Sequence, residues 1–404
     1  MNYSKERAEY EILTILCTLV FLMFLSFMTG MGLTDGNAYC TYALQADSWR
    51  QGRLNLGQDY VWLELAIYEG KYFCSFPPFP SYVLFPLTFI FGHETPDTVV
   101  LWMVDMLSAL YLYKTGLRLK LPARTAMCQA FFVLFGSNLV FVMFDPAVWF
   151  FAQAMCFALS VTSIYYALCG KGGISLFLWA CSVGCRPMQV LFLPVLLILL
   201  YHSVKEKEPD ETWYIRIVRK WYWALPATAV AISYMVLNYL RFGNILEFGH
   251  NYLPEFVRAE HGQFHLHYVK DNLRSLLKMP VFAEDGKWVF DSFGNLNMFI
   301  VSPILIVAIL VFVYSICKKS FHLAGLNGLI ILLSVIYMFV VVMHKTMGAW
   351  HFGNRYANDI LPWCYLGVCM VISKYPRIAK YQMPFAIWGM CLNVIGTVVV
   401  YNWL

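Results

Sequence analysis

Residues 12–31 read ILTILCTLVFLMFLSFMTGM, and residues 32–39 directly after them read GLTDGNAY. About 20 apolar residues are enough to carry a helix across a bilayer. No small-residue cleavage site follows this run, so it is expected to stay in the protein as a first membrane helix rather than leave as a signal peptide. Runs of the same kind recur to the end of the 404 residues, at roughly 11–32, 97–114, 124–143, 147–169, 174–185, 187–202, 221–240, 297–316, 323–343, 360–374 and 383–402. The pair 174–185 and 187–202 reads either as a tight hairpin or as one helix kinked at Arg186-Pro187, because proline removes a backbone donor. The expected fold is therefore all-α: a single polytopic bundle of about eleven spans in the cell membrane.

Composition agrees. The chain is 60% hydrophobic and 18% aromatic, and only 13% charged, about half the charge of a soluble domain. Charge placement sets the expected orientation. With Lys5 and Arg7 in the cytoplasm, the short inner loops are Lys114–Arg124, Lys171, Lys205–Lys220, Lys318–Lys319 and Lys374–Lys380. Together with the N-terminus they hold 17 of the 29 basic residues, as the positive-inside rule requires. The C-terminus is then outside. The apolar stretch Pro80–Gly92 is too short to span and is placed at the outer interface. Counting it as a span would put the basic loops outside.

Two outer segments are too long to be mere connectors, 33–96 and 241–298, and long ordered loops usually carry function. In the first, Tyr39, Tyr42, Ala43, Ala46 and Trp49 recur at helical spacing, while Asp47, Arg50 and Arg53 fall largely on other faces. It reads as amphipathic helices on the membrane surface. Cysteines show no metal spacing. Cys40 and Cys74 share this loop and are the one pair placed to form a disulfide. There is no internal repeat of the kind many transporters show. No Walker loop or GxGxxG precedes a helix, and no nucleic-acid partner is expected.

Several short constellations could carry chemistry. Asp35, in Thr34-Asp35-Gly36-Asn37-Ala38-Tyr39, stands at the membrane exit. It reads as a helix N-cap or as an ionised base. Lys71 precedes the proline corner Cys74-Ser75-Phe76-Pro77-Pro78. Asp145-Pro146 closes the third span. Asp105 lies inside an apolar run, where an acid is costly: it is either functional or hydrogen-bonded within the bundle. Arg186 either snorkels to the interface or holds a phosphate. Asn238-Tyr239-Leu240-Arg241-Phe242-Gly243 and Arg355-Tyr356-Ala357-Asn358-Asp359 each set an arginine beside aromatics at a span end. His265-x-His267 is either a metal pair or two solvated histidines.

The order of these pieces resembles the GT-C superfamily of membrane glycosyltransferases, in particular the family 39 branch that includes protein O-mannosyltransferases and the aminoarabinose transferase acting on lipid A. The resemblance runs over about residues 10–375, from Asp35 and Tyr39 through the proline corner, Asp145-Pro146, Arg186-Pro187 and Asn238-x-x-Arg241-Phe242-Gly243 to Arg355-Tyr356-x-x-Asp359-x-x-Pro362. It implies transfer of a sugar from a polyprenyl-phosphate-linked donor, held among membrane lipids, to the hydroxyl of a lipid, glycan or protein acceptor at the outer face. It also implies that Asp35 is the base and that Asp145 orients a substrate. Arg186 and Arg355 are implied at the donor phosphate, with Tyr39, Arg241 and Asp359 in the same substrate-binding set. Some members carry a lysine just before the proline corner; here Ser75 and Phe76 hold those places, and Lys71 is the nearest substitute. No cofactor is implied, and a divalent metal is left open. A polytopic transporter or lipid flippase without transferase activity is the alternative. Asp105 and the many helices suit it, and the two long outer loops oppose it.

Overall fold

The computed structural model describes residues 2–34, 36–207, 212, 215, 218–289, 294–348 and 350–403. Helices of eight or more residues are numbered here in chain order. They are α1 (Asn2–Thr29), α2 (Thr41–Arg50), α3 (Phe79–Phe91), α4 (Asp97–Arg118), α5 (Ala123–Phe135), α6 (Val148–Leu168), α7 (Gly172–Val183), α8 (Leu193–Lys207), α9 (Ala224–Phe242), α10 (Val269–Leu276), α11 (Ile304–Cys317), α12 (Phe321–Val342), α13 (Leu361–Lys374) and α14 (Met383–Trp403). Each of the apolar segments read from the sequence carries one of them. Among the described residues, six helical stretches are long and apolar enough by themselves to cross a membrane: Ser4–Thr29, Val148–Leu168, Pro187–Glu206, Trp221–Phe242, Phe321–Val342 and Ile378–Asn402.

These stretches divide into one enclosed helix and a lipid-facing rim. The α6 span is 89% buried, whereas Ser4–Thr29 is 22% and Trp221–Phe242 only 17% buried. The rim turns large apolar side chains outward, among them Val20, Phe27, Leu240 and Phe321. In water such faces would aggregate; in hydrocarbon they need no partner. The chain is a multi-pass membrane protein.

The 174–202 stretch is a hairpin. Ser163 and Ser175 exchange hydroxyl-to-carbonyl bonds of 2.8 and 2.9 Å, which tie the start of α7 to the C-terminal half of α6. Ser203 at the far end of α8 donates to Leu168 O at 3.4 Å, on the last residue of α6. Both ends of the pair thus lie near the end of α6. The turn between them, Gly184 to the 3-10 segment Pro187–Phe192, lies at the other end of α6.

The first long loop differs from its expectation. It holds α2, then an antiparallel hairpin of β1 (Leu65–Tyr68) and β2 (Lys71–Cys74), in register Leu65↔Cys74, then α3. The hairpin turn is Glu69-Gly70, with φ of +49° and +71°. Two successive positive φ angles give the turn whose twist suits a two-residue hairpin. Nor does α2 lie on a surface. Tyr42, Ala43 and Ala46 are buried as an amphipathic reading expects, but so are Thr41, Gln45, Asp47 and Ser48. Ser81 Oγ donates to Tyr42 O at 3.0 Å and to Gln45 Oε1 at 2.8 Å, so α3 covers the polar face of α2. The second long segment adds α10 and a short hairpin, β3 (Val281–Phe282) with β4 (Trp288–Val289).

Candidate functional site

At the end of the bundle where the α7–α8 turn lies is a cavity of about 440 Å³. Its walls come from the end of β2 (Ser75, Phe76), the start of α6 (Trp149), the α7–α8 turn (Arg186), the end of α12 (Tyr337) and the 344–359 segment. Phe79 N donates to Gly184 O at 3.0 Å and seats the proline corner on the arginine-bearing turn. The second long segment closes over the top. His265 N reaches Met343 O at 2.9 Å, and Lys345 N reaches Gln263 O at 2.8 Å.

Asp359 is the hub of the cavity floor. Arg186 Nε donates to its Oδ2 at 2.8 Å, Tyr337 OH donates to the same oxygen, and Gln153 Nε2 donates to Oδ1 at 2.8 Å. Gln189 Nε2 donates to its backbone carbonyl at 2.7 Å, and Trp363 Nε1 donates to Gln189 Oε1 at 3.0 Å. A buried carboxylate needs this many donors, because one left unpaired would cost several kcal/mol. The carboxylate side chain is 1% exposed, and the Arg186 side chain is 21% exposed. The ion pair is therefore open on the arginine side.

Arg355 is different. The residue is 4% exposed, and its Nη1 is buried with no hydrogen-bond partner among the described residues. The guanidinium carbon lies 4.8 Å from the Tyr356 ring centroid and 5.8 Å from that of Phe150, and Arg186 sits 5.6 Å from the same Tyr356 ring. Burial pushes the Arg355 pKa down, and the neighbouring positive charge of Arg186 pushes the same way. Glu64, Glu247 and Glu255 are the other acids in the lining, and Glu64 is the one tied to α6. Its Oε2 accepts from Trp149 Nε1 at 2.9 Å, and burial raises its pKa. His250, whose Nδ1 lies 3.2 Å from Ser75 O, is pushed down to about 4 by burial, with His344 adding to the shift. The floor thus carries a guanidinium that feels Asp359 and Glu64 through space but has one N–H donor, Nη1, with no hydrogen-bond partner among the described residues, within walls that include Phe76, Phe256 and Val341. Such a site suits an anion attached to an apolar body.

The acidic motif sits beside this cavity. Asp35 lies outside the described residues, and its neighbours Thr34 and Gly36 are exposed. Asn37 Nδ2 donates to Asp145 Oδ1 at 2.5 Å, Tyr401 OH donates to Asp145 Oδ2, and Ala147 N donates to Oδ1 at 2.9 Å. Burial raises the Asp145 pKa, while the Tyr401 and Ala147 bonds oppose the rise. Val148 N donates to Tyr39 O at 3.1 Å, and the half-exposed Tyr39 ring lies 6.1 Å from that of Trp149. The 36–40 segment is thereby pinned over the start of α6, one residue from a cavity wall. Asp145 itself anchors that segment and does not line the cavity.

The remaining candidates lie elsewhere. Arg241 is buried, donating to Cys74 O at 3.3 Å and to Asn238 Oδ1 at 2.9 Å, and so joins the end of β2 to α9 behind the cavity wall. Lys71 is exposed at the hairpin tip and does not line the cavity. Asp105 is buried within α4, its Oδ2 unpartnered among the described residues. His261 stacks on His265 at 4.5 Å, with His267 at 4.7 Å from His261, and no group of three metal-ligating side chains converges among the described residues. Cys40 and Cys74 are both free and buried.

No family model matches the sequence, and no curated protein is similar to it. Solved structures do match. The crystal structure of the Archaeoglobus fulgidus oligosaccharyltransferase in the apo form superposes with a TM-score of 0.51 at 10% identity, over 98% of this chain and 56% of that one. This chain shares the fold of that part of the oligosaccharyltransferase. A second structure, the archaeal oligosaccharyltransferase AglB from the same organism in complex with an inhibitory peptide and a dolichol-phosphate, gives 0.42 at 12% identity over 95% of this chain and 55% of that one. This chain therefore spans little more than half the length of the proteins it superposes on.

Glu64, Trp149, Gln153 and Tyr337 escape a reading of the sequence. Gln153 and Tyr337 carry no signal of their own. Each is one of several polar residues in a mainly apolar helix, 206 and 22 residues from the aspartate it serves.

Proposed function

We propose that this chain is a membrane glycosyltransferase that moves a sugar from a polyprenyl-phosphate-linked donor to an acceptor hydroxyl at the outer face of the cell membrane. The observation that carries the reading is Arg355, a buried guanidinium with an unpartnered Nη1, set beside Arg186 in a cavity with apolar walls. An arginine fork matches phosphate oxygens, and the apolar walls accept the start of a lipid tail. In the proposed step the acceptor hydroxyl attacks the anomeric carbon, the carbon–oxygen bond to the phosphate breaks, and its electron pair leaves on the phosphate. Arg355 and Arg186 stabilise that developing charge. Asp35 takes the acceptor proton, and Asp145 holds the motif through Asn37. The fold shared with that oligosaccharyltransferase supports lipid-linked glycosyl transfer, and the order of the motifs supports the family 39 branch of the GT-C superfamily. We further propose about eleven crossings, with the N-terminus in the cytoplasm and the C-terminus outside.

Transfer of radiolabelled sugar from polyprenyl phosphate in purified membranes tests this, comparing the parent with Asp35→Asn. The nearest helix, α2, begins at Thr41 with Cys40 at its N-cap, and asparagine has the shape of aspartate, so the variant should fold normally. Its transfer should fall by roughly a hundredfold, because an amide cannot take the proton. Normal turnover by a well-folded Asp35→Asn protein would remove Asp35 from the mechanism.

A further inference from the structure

A second cavity, of about 680 Å³, lies between α11, α14 and the turn that joins α13 to α14. It is at the opposite end of the bundle from the first. Tyr337 and Val341, near the end of α12, line the first cavity. Ser320, just before α12 begins, accepts a bond of 2.9 Å from Lys374 Nζ at the rim of the second. Along α12, Ser320 lies 17 residues from Tyr337 and 21 from Val341, or about 26–32 Å. The two cavities thus face opposite leaflets.

Three cations converge on the second cavity: Lys318 at the end of α11, Lys374 at the end of α13, and Arg377 in the turn. None is ion-paired with a carboxylate among the described residues. Lys318 lies 5.5 Å from the Tyr314 ring centroid and Lys374 lies 5.6 Å from that of Tyr375, and the two rings meet edge to face at 5.3 Å. Rings steady the ammonium groups without neutralising them. The other walls are aliphatic and aromatic: Val307, Leu310, Val311 and Phe385. Gln382 supplies an independent sign. It lines the cavity, is 3% exposed, and neither its Nε2 nor its Oε1 has a hydrogen-bond partner among the described residues. A buried amide left unpaired is costly, and a ligand with both donor and acceptor oxygens would relieve it.

We infer that this cavity is a binding site for an anionic glycerophospholipid from the leaflet opposite the first cavity. The headgroup phosphate sits among Lys318, Lys374 and Arg377. Its glycerol oxygens reach Gln382, and one acyl chain follows Leu310 and Phe385 along the helices. A soluble anion would satisfy the cations but leave the apolar walls empty, which favours the lipid as the source. Basic pockets between helices at a membrane face hold anionic headgroups in this way.

The test is binding of radiolabelled dioleoyl phosphatidylglycerol to the purified full-length chain in a zwitterionic detergent. Competitors are unlabelled phosphatidylglycerol, phosphatidylcholine of the same acyl chains, and inorganic phosphate. Saturable binding should be displaced by phosphatidylglycerol alone. In the double variant Lys318→Ala/Arg377→Ala it should weaken about fivefold per cation, or about twenty-fivefold in all. Lys374 is left in place because it also holds Ser320. Gln382→Leu, which keeps every charge, should weaken binding several-fold. Lys270→Ala/Lys287→Ala, with the same loss of charge in the second long loop, should leave it unchanged. Equal displacement by phosphatidylcholine, displacement by inorganic phosphate at matched concentration, equal weakening by the loop control, or full binding by the Lys318/Arg377 variant would each overturn the assignment.

Discussion

The two arginines of the first cavity have unlike roles. Arg186 is committed to Asp359, whereas Arg355 keeps a buried donor that nothing fixed satisfies. The donor phosphate should therefore lean more on Arg355. We expect Arg355→Ala to weaken binding of the polyprenyl-phosphate donor by about ten- to a hundredfold, from roughly 1.5–3 kcal/mol for a charge-assisted bond, and Arg355→Lys to recover part of it. Donor titration against the purified variants measures this, and parental affinity in Arg355→Ala would refute the assignment. Arg186→Ala should weaken donor binding too, but should also lower the melting temperature, because it strands Asp359 and Tyr337. His250 gives a prediction about pH. Its folded pKa of about 4 lies below the unfolded value of about 6.5. The unfolded chain thus binds the extra proton between those two values. Stability contributed by the neutral ring is full above about pH 6.5 and is lost progressively as pH falls toward 4, by about 3 kcal/mol in total. Melting in detergent from pH 7.5 to 4 should show that decline, and His250→Gln should flatten it. The members of the floor that sequence alone brings forward, Arg186, Arg355 and Asp359, all sit in short motifs at span ends, where a charged residue stands out against apolar neighbours. Their partners Gln153 and Tyr337 look like ordinary helix residues until the fold sets them against Asp359.

Membrane helices are legible because hydrocarbon imposes one rule along their whole length, so every apolar run in this chain yields a helix. The irregular elements between them obey no such rule. Leu65–Cys74 sets two short, mainly apolar runs on either side of Glu69-Gly70, as a hairpin does, but it lies in a loop whose flanks show helical spacing, and the two signals compete. In α2 the buried Asp47 is satisfied locally, by Arg50 and Gln51 at the helix end, but the buried Gln45 is satisfied by Ser81 in α3, which no local pattern shows. Close approach of helices is likewise invisible in hydropathy. Gly389 in α14 faces the backbone after α5 so closely that an added Cβ would lie 2.2 Å from Gly136 O. That neighbour is main chain and has no rotamer to change. Gly389→Ala should therefore cost about 1–3 kcal/mol, read as a lower melting temperature, while Gly325→Ala, at a position with nothing within 4 Å, should not.

At the scale of the molecule, the bundle has a cavity at each end, and the proposed orientation decides which one meets the outside. Cysteines engineered at the exposed positions Lys205 and Lys287, in a background where exposed Cys317 and Cys391 are serine, should react with an impermeant maleimide from opposite sides of sealed vesicles. Labelling of both from one side would refute the proposed topology. The bundle also joins the end of its first helix to the end of its last. Asn402 Nδ2 donates to Met28 O at 2.8 Å, and Tyr401 OH completes the shell of Asp145 across a sequence separation of 256 residues. This clasp has a consequence in time. At about 5–20 residues per second, a ribosome needs roughly 13 to 50 s to travel from Asp145 to Tyr401. During that interval the first helices are already in the bilayer, while the segment carrying the acidic motif still lacks its last anchor. Until then the 36–40 segment is held by Val148 and Asp145, and Asp145 is short of one donor. A chain cut off before the final helix should therefore keep its cavity walls but leave one buried carboxylate oxygen unsatisfied.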